Sequence, residues 1–362
     1  MTGPILIAGG YGIVGLQLAQ LIRKRNPELE IILAGRSLEK AQAAADALGN
    51  ARAAHLDVSN DQPLEQISEP LGAVLAVVND PHNHLMHHAI KRTVPYVDIT
   101  RWTERLKEAK AIAQKLQPRS SVTLSSSWMA GVSAIVAMKA CEQLSKVDDI
   151  QTSILFRLND KAGPDSIEYV DRLAIPFRIK DKGEWREVKP FTGPKEIQFP
   201  SGDKAVTYLF DEPSQETLVA LTGAQSVSSR IGYDDPATGK FMAILVKSGV
   251  WKLISGAFFD RFRRSLLYKP GAGASHEIVI TVTGKDAKGI ATQATATVID
   301  PESQTHLTAV GAYIQLCAAT GLEDQMKRQP GIHYPEKGMD LDFAVRVMEE
   351  EEVTVQLSRT EI

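Results

Sequence analysis

The stretch "GGYGIVG", Gly9 to Gly15, decides the fold. It follows "ILIAG" (Ile5 to Gly9), an apolar run of the right length for a buried parallel strand. It then opens "YGIVGLQLAQLIRKR", where Val14, Leu18, Leu21 and Ile22 recur at helical spacing. Each glycine of Gly10-x-Gly12-x-x-Gly15 has a physical task. Gly10 permits a tight turn, Gly12 lets the backbone approach a pyrophosphate, and Gly15 lets helix and strand pack closely. Amides at the helix start receive phosphates, so Tyr11, Ile13 and Val14 join the three glycines as candidate cofactor residues.

Working outward, "EIILAG" is a second strand, and the chain continues as Gly35-Arg36-Ser37. An acid at this point would bond the ribose hydroxyls of NAD and repel a 2′-phosphate. Here Gly35 leaves room, Arg36 can stack on adenine and pair with the phosphate, and Ser37 can donate to it. Lys40 adds a cation one turn on. NADP(H) is therefore favoured, with NAD(H) possible. Ser37 also caps the helix "LEKAQAAADALG". Asp57-Val58 ends a third strand and lies beside the adenine, where Asp57 can accept from its amino group or cap a helix over "SNDQPLEQI". "AVLAVVN", "YVDIT" and "SVTLSS" are further strands separated by helices. The fold class is α/β, a doubly wound parallel Rossmann sheet.

Beyond Ala130 the period changes. "DIQTSILFRL" starts another sheet, and His276 to Asp300 alternates on both sides of "GKDAKG" as a β-hairpin. Asn159 to Gly202 has no clean period. A second, α+β mixed-sheet domain follows. The expected division is 1–128 for NADP binding, 129–305 for substrate and dimerisation, and 306–362 packing back on the Rossmann domain. The 362 residues suit two domains. A net charge of -3 supplies no basic field for nucleic acid. Two cysteines in apolar runs, Cys141 and Cys317, point to buried reduced thiols in a cytoplasmic protein and are too few for a metal site. "MTGPILIAGG" enters the first strand without a basic leader, and no run approaches the ~18 apolar residues of a membrane span.

"AGGYGIVG", "AGRSLEKAQ", "LDVSN", "VVNDPHNHLMHHAIKRTVPYVDIT" and "SSSWMAGVSAIVA" together resemble the saccharopine dehydrogenase/reductase-like family; "GIHYPE" (Gly331 to Glu336) is similar to a C-terminal element of that group. The resemblance covers the first ~130 residues, the Rossmann part. It implies nicotinamide hydride transfer, often on a C–N bond. Relatives carry a Pro-Gly pair where this chain has Ala130-Gly131.

Hydride transfer needs position and a proton source, because the cofactor carries the reactive atom. The loop "NDPHNH" lies at the carboxyl edge of the sheet, with Asn79 and Pro81 on the nicotinamide side. His82 is the candidate proton donor, since histidine titrates near neutrality. Asp98 can orient a base or bind a substrate ammonium, or else satisfy the amides of "ITRWT". Arg101 can take a substrate carboxylate, with Trp102 beside it. His84 and His88 share a helical face, but no HExxH pattern supports a metal. No tyrosine has a lysine four residues on, which excludes the short-chain dehydrogenase motif. Lys247 to Gly271 is basic and aromatic, fit for an apolar substrate wall, a subunit interface or contact with a membrane surface. The expectation is an NADP(H)-dependent oxidoreductase acting on a small imine or amino-acid substrate, as a homodimer built through the second domain. A reductase of an apolar carbonyl or enoyl group and a non-catalytic NADP(H) sensor are the alternatives.

Overall fold

The computed structural model describes residues 3–161, 172–253 and 271–362. The chain forms two compact units, Met1–Val132 with Thr305–Asp340, and Ser133–Gln304 with Leu341–Ile362.

Runs made of Ile, Leu, Val and Ala have nothing polar to expose, and in the first unit they become central strands. β1 (Ile5–Ala8), β2 (Ile31–Gly35) and β4 (Ala73–Ala76) are buried throughout. β3 (Ala51–His55) is half-buried and takes an edge. With β5 (Tyr96–Asp98), β6 (Ser121–Thr123) and β15 (Gly331–His333) they form a parallel sheet of order β15-β6-β5-β4-β1-β2-β3. Helices α1 (Ile13–Arg25), α2 (Leu38–Leu48), α3 (His84–Lys91) and α4 (Thr103–Leu116) make four of the crossovers. Strand order reverses between β1 and β4. The crevice outside the carboxyl ends of those two strands is where open α/β sheets take ligands.

Two features of this unit depart from the sequence reading. The GIHYPE element is a seventh strand, held by Arg328, whose Nη1 donates to Thr123 Oγ1 and Gln315 Oε1 at 2.9 Å each while Nη2 donates to the carbonyls of Tyr334 and Pro335. Burial pushes that guanidinium down to about 10. The turn at Ala130-Gly131 is also its own kind. Ala130 has φ 51, a value closed to proline, so the Pro-Gly turn of relatives cannot be formed here.

The second unit is built on β7 (Lys146–Phe156), which pairs parallel with β12 (Ser226–Tyr233) and antiparallel with β13 (His276–Lys285). β13 pairs with β14 (Ala291–Asp300) from His276↔Asp300 to Lys285↔Ala291. Asp286 closes the hairpin, accepting the amides of Lys288 and Ile290 at 2.8 and 2.9 Å. The stretch without a period carries three strands, β8 (Phe177–Asp181), β9 (Glu184–Val188) and β10 (Lys195–Gln198), and β11 (Lys204–Leu209) follows. β8 and β9 are joined by Lys182-Gly183, both at positive φ, the geometry that suits a two-residue hairpin turn. β9 is almost wholly exposed, so no apolar alternation marks it. The tail needs correction. β16 (Thr354–Glu361) pairs antiparallel with β14, because the hairpin leaves that edge open, so Leu341–Ile362 belongs to the second unit and not to the Rossmann unit.

Cys141 and Cys317 are free and buried, and burial pushes both thiols up to about 12. Among the described residues no helix is long and apolar enough to cross a membrane. Most of the basic aromatic stretch, 254–270, lies outside the described residues; Trp251, at its start, is fully buried.

Candidate active site

The glycine loop has the shape a pyrophosphate needs. Gly9 turns at φ 85, and its carbonyl accepts the Gly12 amide at 2.9 Å. A Cβ on Gly10 would stand 2.8 Å from Leu33 Cδ2, and one on Gly15 would stand 2.1 Å from the Gly9 carbonyl oxygen. These two glycines let strand and helix touch. Gly12 differs: apart from the Gly9 oxygen at 3.2 Å, a Cβ there meets nothing. Gly12 is exposed and caps α1 without a side-chain bond, and the first turn, Ile13 onward, carries no acid. An open helix start with unclaimed amides and no repelling carboxylate fits a dinucleotide phosphate.

At the end of β2 the geometry alters one expectation. The space over Gly35 is filled by the Tyr11 ring, whose Cε1 lies 2.5 Å from where a Cβ would be. Gly35 makes room for Tyr11, not directly for a phosphate. The Tyr11 hydroxyl oxygen accepts the Ser37 backbone N–H at 3.0 Å. Ser37 Oγ caps α2 by accepting the Lys40 amide at 3.3 Å, which leaves its own O–H free to donate. Arg36 and Lys40 are exposed. Asp57 accepts the Ser59 amide at 2.9 Å, and this bond, with Arg36 nearby, holds its carboxyl below the usual range. No helix forms after it; a series of turns follows, and Val58 packs on the sheet core.

The loop after β4 is ordered by Asp80, whose carboxylate accepts the amides of His84, Leu85 and Met86 at 2.9, 3.0 and 3.3 Å. Pro81 and His82 are exposed, and the His82 ring leans on His84 at 5.3 Å. Asn79 accepts from Arg105 at 3.2 Å, and the Arg105 guanidinium lies 4.8 Å over the Trp102 ring. Asp98 and Arg101 meet each other. Arg101 Nε donates to Asp98 at 2.6 Å, Arg101 Nη1 to Asn83 at 2.6 Å, and the Ser125 amide to the other Asp98 oxygen at 2.7 Å. Both side chains are buried. Burial raises the Asp98 carboxyl, the neighbouring Arg101 opposes that rise, and the guanidinium is held protonated. The open acid and open cation expected at this edge are thus spent on one another, and the amide that Asp98 satisfies is that of Ser125, not one of "ITRWT".

Residues 5–135 match the family described as the saccharopine dehydrogenase NADP binding domain. The likeness to that family lies in this stretch. The match favours NADP(H) as the cofactor, and oxidoreductase is the general class it supports. The apo saccharopine dehydrogenase (L-Glu forming) of Saccharomyces cerevisiae shares 15% identity over 99% of this chain and 100% of its own, with a TM-score of 0.73. That likeness shows the fold. Myo-inositol dehydrogenase from Corynebacterium glutamicum shares 14% identity over 98% of this chain and 99% of its own, with a TM-score of 0.41. No curated protein matches the chain.

The structure gathers Tyr11, Gly35 and Ser37 at one end of the crevice. It closes Asp98 on Arg101 at the β5 end. Sequence reasoning missed Asp80, although an Asp just ahead of "HLMHH" is a capping signal. It also missed Arg105 and the buried contact of Ser126 Oγ with Glu336 at 2.5 Å. The last pair is 210 residues apart and carries no local signal.

Proposed function

We propose that the chain transfers hydride between NADP(H) and the carbon of a C–N bond, in an imine made from an amine or amino acid and a small carbonyl compound. The observation that supports this most is the open, acid-free start of α1 with exposed Arg36 at the neighbouring strand end. The C–N substrate rests on the family resemblance. Bound NADP(H) would supply the hydride. Gly10, Gly12, Gly15 and the amides of Ile13 and Val14 hold the pyrophosphate; Arg36, Ser37 and Lys40 hold the 2′-phosphate; Asp57 and Val58 lie by the adenine. Asn79 and Pro81 border the nicotinamide, and His82 provides the proton. Arg101, fixed by Asp98, positions that loop through Asn83. Buried reduced thiols suit a cytoplasmic setting.

A panel of amino acids paired with oxo acids or aldehydes, supplied with NADPH, tests the reading. The expected result is NADPH oxidation together with a new secondary amine detected by mass. Reduction of apolar enones or aldehydes alone would favour the alternative substrate class, and binding without turnover would favour a sensor. We also propose a homodimer through the second sheet. Along β14, Gln293, Thr295, Thr297 and Ile299 are only half-buried, and β16 is an exposed edge. Light scattering is expected to give twice the chain mass.

A further inference from the structure

A groove of about 640 Å³ runs along the outer side of α3, within the first unit. His84, His87, His88 and Lys91 line it, and their spacing of i, i+3, i+4 and i+7 puts all four on one helical face. Lys115 of α4 faces them from the other wall, with Ile112 and Leu116 as apolar lining. Neither Lys91 nor Lys115 has an ion-pair partner among the described residues. Arg92 adds a third cation, anchored by bonds to the carbonyls of Leu64 and Glu69 at 3.0 and 2.8 Å. Asp61 at the rim and Glu65, which acts on His88, are the opposing charges.

His88 is set as a donor by a bond to its other ring nitrogen. His88 Nδ1 accepts the Leu64 amide at 3.1 Å, which leaves Nε2 to carry the proton. Nδ1 of His84 is buried and has no hydrogen-bond partner among the described residues. Burial, then Lys91 and His84, hold His87 below the usual histidine range. Burial, then Arg92, His87 and Lys91, do the same to His88. The rings are kept neutral by desolvation and by neighbouring cations, and a negative charge placed among them reverses the second cause.

We propose that this groove binds a small multivalent organic anion at a site separate from the coenzyme cradle, with Lys91 and Lys115 gripping it from opposite walls and the α3 histidines donating to it. An aliphatic polycarboxylate and a phosphate ester share the required chemistry: two or more negative charges on a body small enough for Ile112 and Leu116 to cover. His82 and Asn83 also line the groove, so the site borders the loop used by the hydride chemistry proposed above, while the anion's grip on Lys91 and Lys115 does not rest on that reading. Binding takes up protons onto His87 and His88, so affinity rises as pH falls.

Calorimetric titration with citrate and with glycerol phosphate, at about pH 6 and about pH 8, distinguishes the two sources. At least one probe is expected to bind, roughly tenfold tighter at the lower pH, with proton uptake visible as a dependence on buffer ionisation heat. The double variant Lys91→Gln/Lys115→Gln should abolish the heat while NADPH affinity, read by fluorescence, stays unchanged. Absence of binding by both probes at millimolar concentration would overturn the site. So would binding that survives in the double variant and is displaced by NADPH, since that anion would sit in the cradle.

Discussion

The Tyr11 hydroxyl oxygen accepts the backbone N–H of Ser37 at 3.0 Å and thereby ties the glycine loop to the end of β2. The ring can reach because residue 35 is glycine; its Cε1 stands 2.5 Å from where a Cβ would be. Two parts of the coenzyme site, 26 positions apart, are held as one piece. Tyr11→Phe removes the acceptor and leaves the Ser37 amide to water, a loss of about 1 kcal/mol. NADPH affinity should fall about fivefold. Gly35→Ala should fall further, because the ring itself must move. Fluorescence titration measures both.

Arg36 is exposed at the strand end. A guanidinium bonded to a 2′-phosphate contributes about 1.5–3 kcal/mol, and NADH offers it no such partner. Arg36→Ala should therefore cut NADPH affinity by roughly tenfold or more and leave NADH affinity nearly unchanged. Parallel titration of the two coenzymes checks it, and equal losses for both would count against the role.

His82 stands exposed in the loop after β4, outside the buried Asp98–Arg101 pair. As the proton donor it would contribute about 100-fold or more to turnover. His82→Ala should lower kcat by that order and leave NADPH affinity as it was. Turnover equal to the parent's would move the proton source to water or another side chain.

Arg101 and Asp98 form a buried pair at 2.6 Å. Arg101→Met leaves a carboxylate buried without its counter-charge, a cost of about 3–5 kcal/mol by urea unfolding near neutral pH. The Asp98 carboxyl is already raised by burial, and losing Arg101 raises it further. A carboxyl whose folded pKa lies above its unfolded one contributes stability below the unfolded value and loses it as pH rises through the folded value. The variant should thus regain stability on acidification. Adding Asp98→Asn should recover part of the loss at neutral pH.

Thr93 ends α3 at φ 59, a left-handed conformation that a β-branched residue seldom adopts. Its amide bonds the Ile90 carbonyl, and the Val94 amide bonds the Ala89 carbonyl, both at 3.0 Å. That pair of bonds is the helix-ending pattern in which glycine is favoured. Thr93→Gly should stabilise the protein by about 1 kcal/mol, seen as a higher urea midpoint.

The chain's own order of residues was enough to determine the nucleotide-binding half. A buried parallel strand needs an unbroken apolar run, and a phosphate turn needs glycines at set offsets; both demands are local, so Ile5–Ala8 and Gly10, Gly12 and Gly15 could be read directly. Only the tertiary structure decided that Tyr11 fills the place over Gly35, that Asp98 closes on Arg101, and that β15 joins β6 while β16 joins β14. β9 and β16 are edge strands with mostly exposed side chains, so pairing, not apolar pattern, makes them strands. The fate of a polar side chain depends in the same way on which distant group reaches it. Asp98 could be placed at a strand end from its neighbours in sequence, but whether it faced a ligand or a guanidinium was set by the path of the backbone through Asn83 and Ser125.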